Sequence, residues 1–145
     1  MHKIETHIEI AASATQIWSL LTDFQSYRYW NPFIRSVEGE VVVGKSLKVF
    51  IQPHSSKGMR FKPTVLAAEP NRELRWKGNL LLPGLFDGEH YFKIESAPER
   101  VVFHQGEVFT GILVPLFKSS LDGATKQGFI SMNVALKHRA ESNLG

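Results

Sequence analysis

The chain has 145 residues, of which 43% are hydrophobic and 21% charged, with 17 basic and 14 acidic residues and no cysteine. That length suits one domain with a sizeable core, read as residues 1–145, and the composition is ordinary for a globular protein. Without cysteine there is no disulfide framework and no thiolate metal site. No apolar run approaches the ~18 residues that span a bilayer. The start Met1-His2-Lys3-Ile4-Glu5 lacks the apolar stretch of a signal peptide. No stable membrane insertion is expected, and a cytoplasmic location fits. The formal net charge of +3 is mild, and cations such as Lys45, Lys48, Arg60, Lys62, Arg75 and Lys77 alternate with apolar neighbours. That pattern reads as a solvated sheet face and not as a nucleic-acid surface.

Residues 2–10 alternate around Ile4, Ile8 and Ile10, as a first strand would. Ser13 with Gln16 three residues later is a capping box for a helix carrying Ile17, Trp18, Leu20 and Leu21. Asp23 and Ser26 offer a new cap for a very short helix over residues 27–30, which Asn31-Pro32 ends. Strands are then predicted over residues 34–40, 47–51, 60–68, 73–78, 88–96 and 100–110. Pro63 inside one of them suggests an edge or a bulge. Two apolar loops interrupt the series, at residues 80–86 and 111–117. A long amphipathic helix follows from about Ser119 or Ser120, with those serines as caps. Strand, two helices, six strands and a final helix is an α+β order with antiparallel pairing.

Four stretches carry a resemblance to a known family. They are Asp23-x-x-x-Tyr27-x-x-Trp30-Asn31-Pro32-Phe33, Leu82-Pro83-Gly84-Leu85-Phe86-Asp87-Gly88-Glu89-His90, Phe109-Thr110-Gly111-Ile112-Leu113-Val114-Pro115, and Gly128-Phe129-x-x-Met132-Asn133-x-Ala135-Leu136-Lys137. With the order of elements, they look like the SRPBCC superfamily, the START/Bet v 1-like group, in its polyketide cyclase/dehydrase-like branch. The resemblance implies a helix-grip fold: a seven-stranded antiparallel sheet wrapped around the C-terminal helix, with two short helices after the first strand. The superfamily spans lipid and hormone binders, cyclases, chaperone co-activators and oxygenase domains, so the fold does not choose a function.

A sheet gripping one helix is expected to leave an apolar cavity with a few placed polar groups. Leu121, Thr125, Gly128, Phe129, Met132 and Leu136 would face it from the helix, at three- and four-residue spacing. Glycine costs a helix interior about 1 kcal/mol, so Gly128 implies close approach by a neighbour. For the last hairpin, a loop over residues 96–99 would pair Glu95 with Arg100 and His90 with Gln105. The inner face is then His90, Phe92, Ile94, Val101, Phe103, Gln105, Glu107 and Phe109. His90, Gln105 and Glu107 become polar groups on the concave side. They either satisfy one another, meet a polar atom of a ligand, or move a proton as a histidine–carboxylate pair. A slip of one residue would turn all three outward. Trp30 and Phe33 would close one end of the cavity, Trp76 would join the core, and the two apolar loops would flank the mouth as gates or as a self-association surface allowing a homodimer.

The expected ligand set is thus Trp30, Phe33, Trp76, His90, Phe92, Phe103, Gln105, Glu107, Phe109, Thr125, Gly128, Phe129 and Met132, with His90 and Glu107 as catalytic candidates. Neither a cofactor nor a metal is expected, since the six histidines (His2, His7, His54, His90, His104 and His138) have no helical metal spacing. The expected partner is a small hydrophobic molecule, lipid-like or aromatic. The alternatives are a cyclase- or dehydratase-like enzyme, and a protein-interaction module acting through the apolar loops.

Overall fold

The computed structural model describes residues 1–53, 56–80 and 82–142. His54 and Ser55 of the polar loop, and Leu81 of the first apolar loop, lie outside the described residues. The chain runs β1 (His2–Ile10), α1 (Ala14–Thr22), a short 3-10 turn, α2 (Tyr27–Trp30), β2 (Ile34–Glu38), β3 (Lys48–Ile51), β4 (Met59–Phe61), β5 (Thr64–Glu69), β6 (Glu73–Leu80), β7 (Phe86–Ala97) and β8 (Arg100–Thr110). The final helical segment comprises α3 (Val114–Ser120), a π turn (Leu121–Thr125) and α4 (Lys126–Ser142). The Ser13 capping box forms: the Ser13 hydroxyl accepts from the Gln16 N–H, and the Gln16 side chain accepts from the Ser13 N–H.

The strands are antiparallel and divide into a five-stranded sheet ordered β1-β8-β7-β6-β5 and a three-stranded sheet ordered β2-β3-β4. The count therefore differs from the expected single seven-stranded sheet. The reason is Pro63. Having no N–H to give to a ladder, it splits the one strand predicted over residues 60–68 into β4 and β5. The two sheets stay stitched together by backbone bonds from Leu47 N–H to Pro63 C=O and from Val65 N–H to Lys45 C=O.

Helix α4 buries the stripe Gly128, Phe129, Met132, Asn133, Leu136 and Ala140. It lies against the face of the large sheet bearing Ile4, Trp76, Phe92, Ile94, Val101 and Phe103, all of them buried. Burial of each large side chain contributes about 1.5–3 kcal/mol. Gly128 explains itself here. A Cβ at that position would lie 2.2 Å from a ring carbon of Phe33, so glycine is what lets the Phe33 ring sit on the helix.

The last helical segment starts earlier than the sequence suggests. Pro115 occupies its first turn, a position that tolerates the missing N–H. Ser119 and Ser120 are therefore mid-helix residues and not caps. Residues 114–117 of the second apolar loop are helix, leaving a short turn after β8. The helix then passes through the π turn, whose Asp122 carboxylate is 2.7 Å from His2 Nε2 on β1.

Candidate functional site

Strands β7 and β8 join through the tight turn Pro98-Glu99, with Ala97 facing Arg100. This moves the pairing two residues from the expected register, so Glu95 faces Val102, Phe92 faces Gln105 and His90 faces Glu107. A shift of two preserves side-chain parity, and the same residues point inward. His90 and Gln105 are buried, and Glu107 is nearly so.

The three form one end of a continuous chain of hydrogen bonds. His90 Nδ1 is 2.9 Å from Glu107 Oε1, and His90 Nε2 is 2.9 Å from Gln105 Oε1. Gln105 Nε2 donates to Asn133 Oδ1 at 2.8 Å and to the Phe129 carbonyl at 3.3 Å. Asn133 Nδ2 donates to Thr6 Oγ1 at 2.8 Å, and the Thr6 hydroxyl donates to the Gln105 carbonyl at 2.7 Å. Four elements, β1, β7, β8 and α4, are thereby joined through polar atoms within an apolar interior. Buried amides and hydroxyls are tolerable when satisfied in this way.

Three aromatic rings pack around the imidazole of His90. Trp76 stacks on it at 5.6 Å between centroids and 24° between planes, while Phe92 lies at 4.7 Å and Phe129 meets it edge-on at 4.9 Å. Glu107 Oε2 lies over Gly88, where a Cβ would be 2.1 Å away. Glycine at 88 thus leaves the carboxylate room on the inner face. The Glu107 side chain retains 17% of its exposure, so the chain of polar atoms ends near solvent.

Of the residues expected from sequence, Trp76, His90, Phe92, Gln105, Glu107, Gly128, Phe129 and Met132 fall in this region or on the helix beside it. Phe103 stacks on Phe92 at 6.1 Å. Phe33 meets Phe129 at 5.5 Å from the opposite side. Phe109 packs on Phe86, which in turn meets Phe117, and Thr125 is half-buried in the π turn. Trp30 is half-buried beside Tyr27 and away from the polar chain, and its indole N–H has no partner among the described residues.

Thr6 and Asn133 were not anticipated. Both carried a signal: Thr6 has the inward parity of Ile4 and Ile8, and Asn133 adjoins Met132 on the apolar helix stripe.

Ile112 N–H donates to Gly84 C=O and Leu113 N–H to Leu85 C=O, which ties the two apolar segments into one rim. Leu82, Ile112, Leu116 and Phe117 are exposed on it. Two concavities open to solvent lie elsewhere. One of about 210 Å³ sits on the outer face of the small sheet beside Phe50 and Arg60, and one of about 390 Å³ lies between the start of α1 and the Pro98-Glu99 turn. His90 itself is buried against the rings named above.

A family model described as polyketide cyclase / dehydrase and lipid transport matches residues 1–141. The chain belongs to this family. It is a member of the SRPBCC, or START/Bet v 1-like, superfamily, and solved structures of that group share its fold. An aromatase/cyclase from a Streptomyces species, Zhui, has a TM-score of 0.80 at 14% identity, covering 99% of this chain and 96% of its own. A START superfamily protein from Mycobacterium smegmatis has a TM-score of 0.76 at 19% identity, covering 98% and 99%. A protein from Mesorhizobium loti has a TM-score of 0.75 at 20% identity, covering 94% and 95%. No curated protein matches the chain. Among the described residues no helix is long and apolar enough to cross a membrane.

Proposed function

We propose that the chain binds a small apolar molecule, aromatic or lipid-like, between the large sheet and the terminal helix, with Glu107 and His90 meeting its polar end. The observation that carries this reading is the placement of a histidine–carboxylate pair inside an aromatic shell, with one carboxylate oxygen directed away from the pair over Gly88. Membership in a family described by cyclase, dehydrase and lipid-transport activities supports it. His90 is buried among these rings, so entry requires them to part. We assign entry to the rim of Leu82, Ile112, Leu116 and Phe117, whose side chains are exposed next to the Phe86–Phe117 contact.

A second reading is favoured by one specific contact. His90 Nδ1 at 2.9 Å from Glu107 Oε1 is within reach for proton transfer, as a cyclase- or dehydratase-like reaction would use. The two readings separate on His90→Ala. A carrier loses affinity, whereas an enzyme loses turnover and keeps affinity.

Native mass spectrometry of the protein from its own host, paired with organic extraction, tests binding itself. A retained apolar compound, absent from a folded Met132→Lys variant, is the expected result. A repeatedly clean mass in the wild type would count against a tight carrier.

A further inference from the structure

The direction of the hydrogen bonds running from Thr6 through Asn133 and Gln105 to His90 Nε2 is set by two atoms that can only accept. The Phe129 carbonyl faces Gln105 Nε2 at 3.3 Å, so the amide nitrogen must be on that side and Oε1 must face His90. From the other end, the Gln105 carbonyl takes the Thr6 hydroxyl hydrogen. Thr6 Oγ1 therefore accepts from Asn133 Nδ2, and Asn133 Oδ1 accepts from Gln105 Nε2. The two ends agree. Flipping either amide would set oxygen against oxygen.

His90 Nε2 must then carry a hydrogen, because Gln105 Oε1 only accepts. One proton remains for the 2.9 Å contact between Nδ1 and Glu107 Oε1. If it sits on the ring, an imidazolium donates to a carboxylate. If it sits on the acid, Oε1–H donates to the bare Nδ1. In both arrangements Glu107 Oε2, over Gly88, has lone pairs and no hydrogen.

We propose that the site selects apolar molecules bearing a hydroxyl or N–H donor over their ether or carboxylate counterparts, because the chain of hydrogen bonds fixed by the Phe129 and Gln105 carbonyls leaves Glu107 Oε2 as an acceptor. This rests on the reading of the interior as a binding site. A donor placed at Oε2 completes the chain. An ether oxygen there sets lone pair against lone pair, and so does an ionised carboxylate, with like-charge repulsion added when the proton sits on the His90 ring.

Isothermal titration with naphthalene, 2-naphthol, 2-methoxynaphthalene and 2-naphthoate tests it. The wild type is expected to bind 2-naphthol about fivefold or more tightly than 2-methoxynaphthalene, as one buried hydrogen bond to Oε2 implies in either arrangement. 2-Naphthoate should bind no better than naphthalene. Glu107→Gln should keep the preference, since its amide N–H can donate to Nδ1 and its oxygen can take the place of Oε2. Glu107→Leu should bring the ratio to about twofold or less. Equal binding of naphthol and its methyl ether by the wild type overturns the proposal while leaving the interior site standing. Failure of all four, naphthalene included, removes the site and the proposal with it. If Glu107→Leu does not fold by circular dichroism, the wild-type ratio and Glu107→Gln decide.

Discussion

Two polar clusters lie buried among the described residues, and they are built on opposite plans. At the turn after α2, Asn31 accepts from the N–H groups of Phe33 and Ile34 at 3.0 and 2.8 Å, and its own carbonyl takes Arg35 Nη1 at 2.6 Å. Every partner is within four residues. Its Nδ2, like the neighbouring Trp30 Nε1, has no partner among the described residues. Around His90 the partners are 15 to 127 residues apart, and each side-chain nitrogen and oxygen from Thr6 to His90 is used. The local cluster shapes a turn and leaves donors over. The long-range cluster joins four elements and ends in one carboxylate oxygen over Gly88. Burial is common to both; the span and the direction of the bonds tell them apart.

Breaking the long-range cluster should have the largest effect. Gln105→Leu leaves His90 Nε2–H and Asn133 Oδ1 buried without partners, and a loss of about 3 kcal/mol is expected in urea denaturation. It should also shift the imidazole nitrogen resonances of His90. Asn31→Ala removes the acceptor for two backbone N–H groups, and a loss of about 2 kcal/mol is expected without that shift.

Gly128→Ala sharpens the contrast, because it tests how firmly the Asn31 turn holds Phe33. Alanine favours the helix by about 1 kcal/mol, but its methyl would overlap the Phe33 ring, and overpacking of this kind costs about 1–3 kcal/mol. A net loss near 1 kcal/mol is expected, relieved in the double variant with Phe33→Val.

The smallest effect belongs to Glu141. Its carboxyl is held below the ordinary value by the hydrogen bond from Lys137, with a further bond from the Ala11 N–H. A depressed folded-state value contributes stability above the usual carboxylate range, and this is lost as pH falls through the folded value. Glu141→Gln should therefore lower the melting temperature slightly at neutral pH and leave it unchanged in acid.

The same contrast explains what could be read in advance. Local signals gave the Ser13 capping box, the short helix closed by Asn31-Pro32, and the bounds of β1, because each depends on residues a few positions apart. Alternation placed His90, Gln105 and Glu107 on the inner face. Their pairing was off by two residues, since opposite charges at Glu95 and Arg100 suggested a longer loop than the Pro98-Glu99 turn that forms. Parity survived that error and partners did not. Thr6 and Asn133 could not be joined to Gln105 without knowing how β1 and α4 dock. The early start of the last helix was missed because Pro115 and the surrounding apolar run read as loop, whereas proline in a first helical turn is well accommodated.

The central claim, a directed chain of hydrogen bonds ending in an acceptor, is most directly tested by long-range proton–nitrogen NMR correlation of the His90 ring at neutral pH. The account requires Nε2 to bear a hydrogen, with Nδ1 either sharing Glu107's proton or carrying it. A neutral ring protonated at Nδ1 and bare at Nε2 would reverse the Gln105 amide and contradict the account.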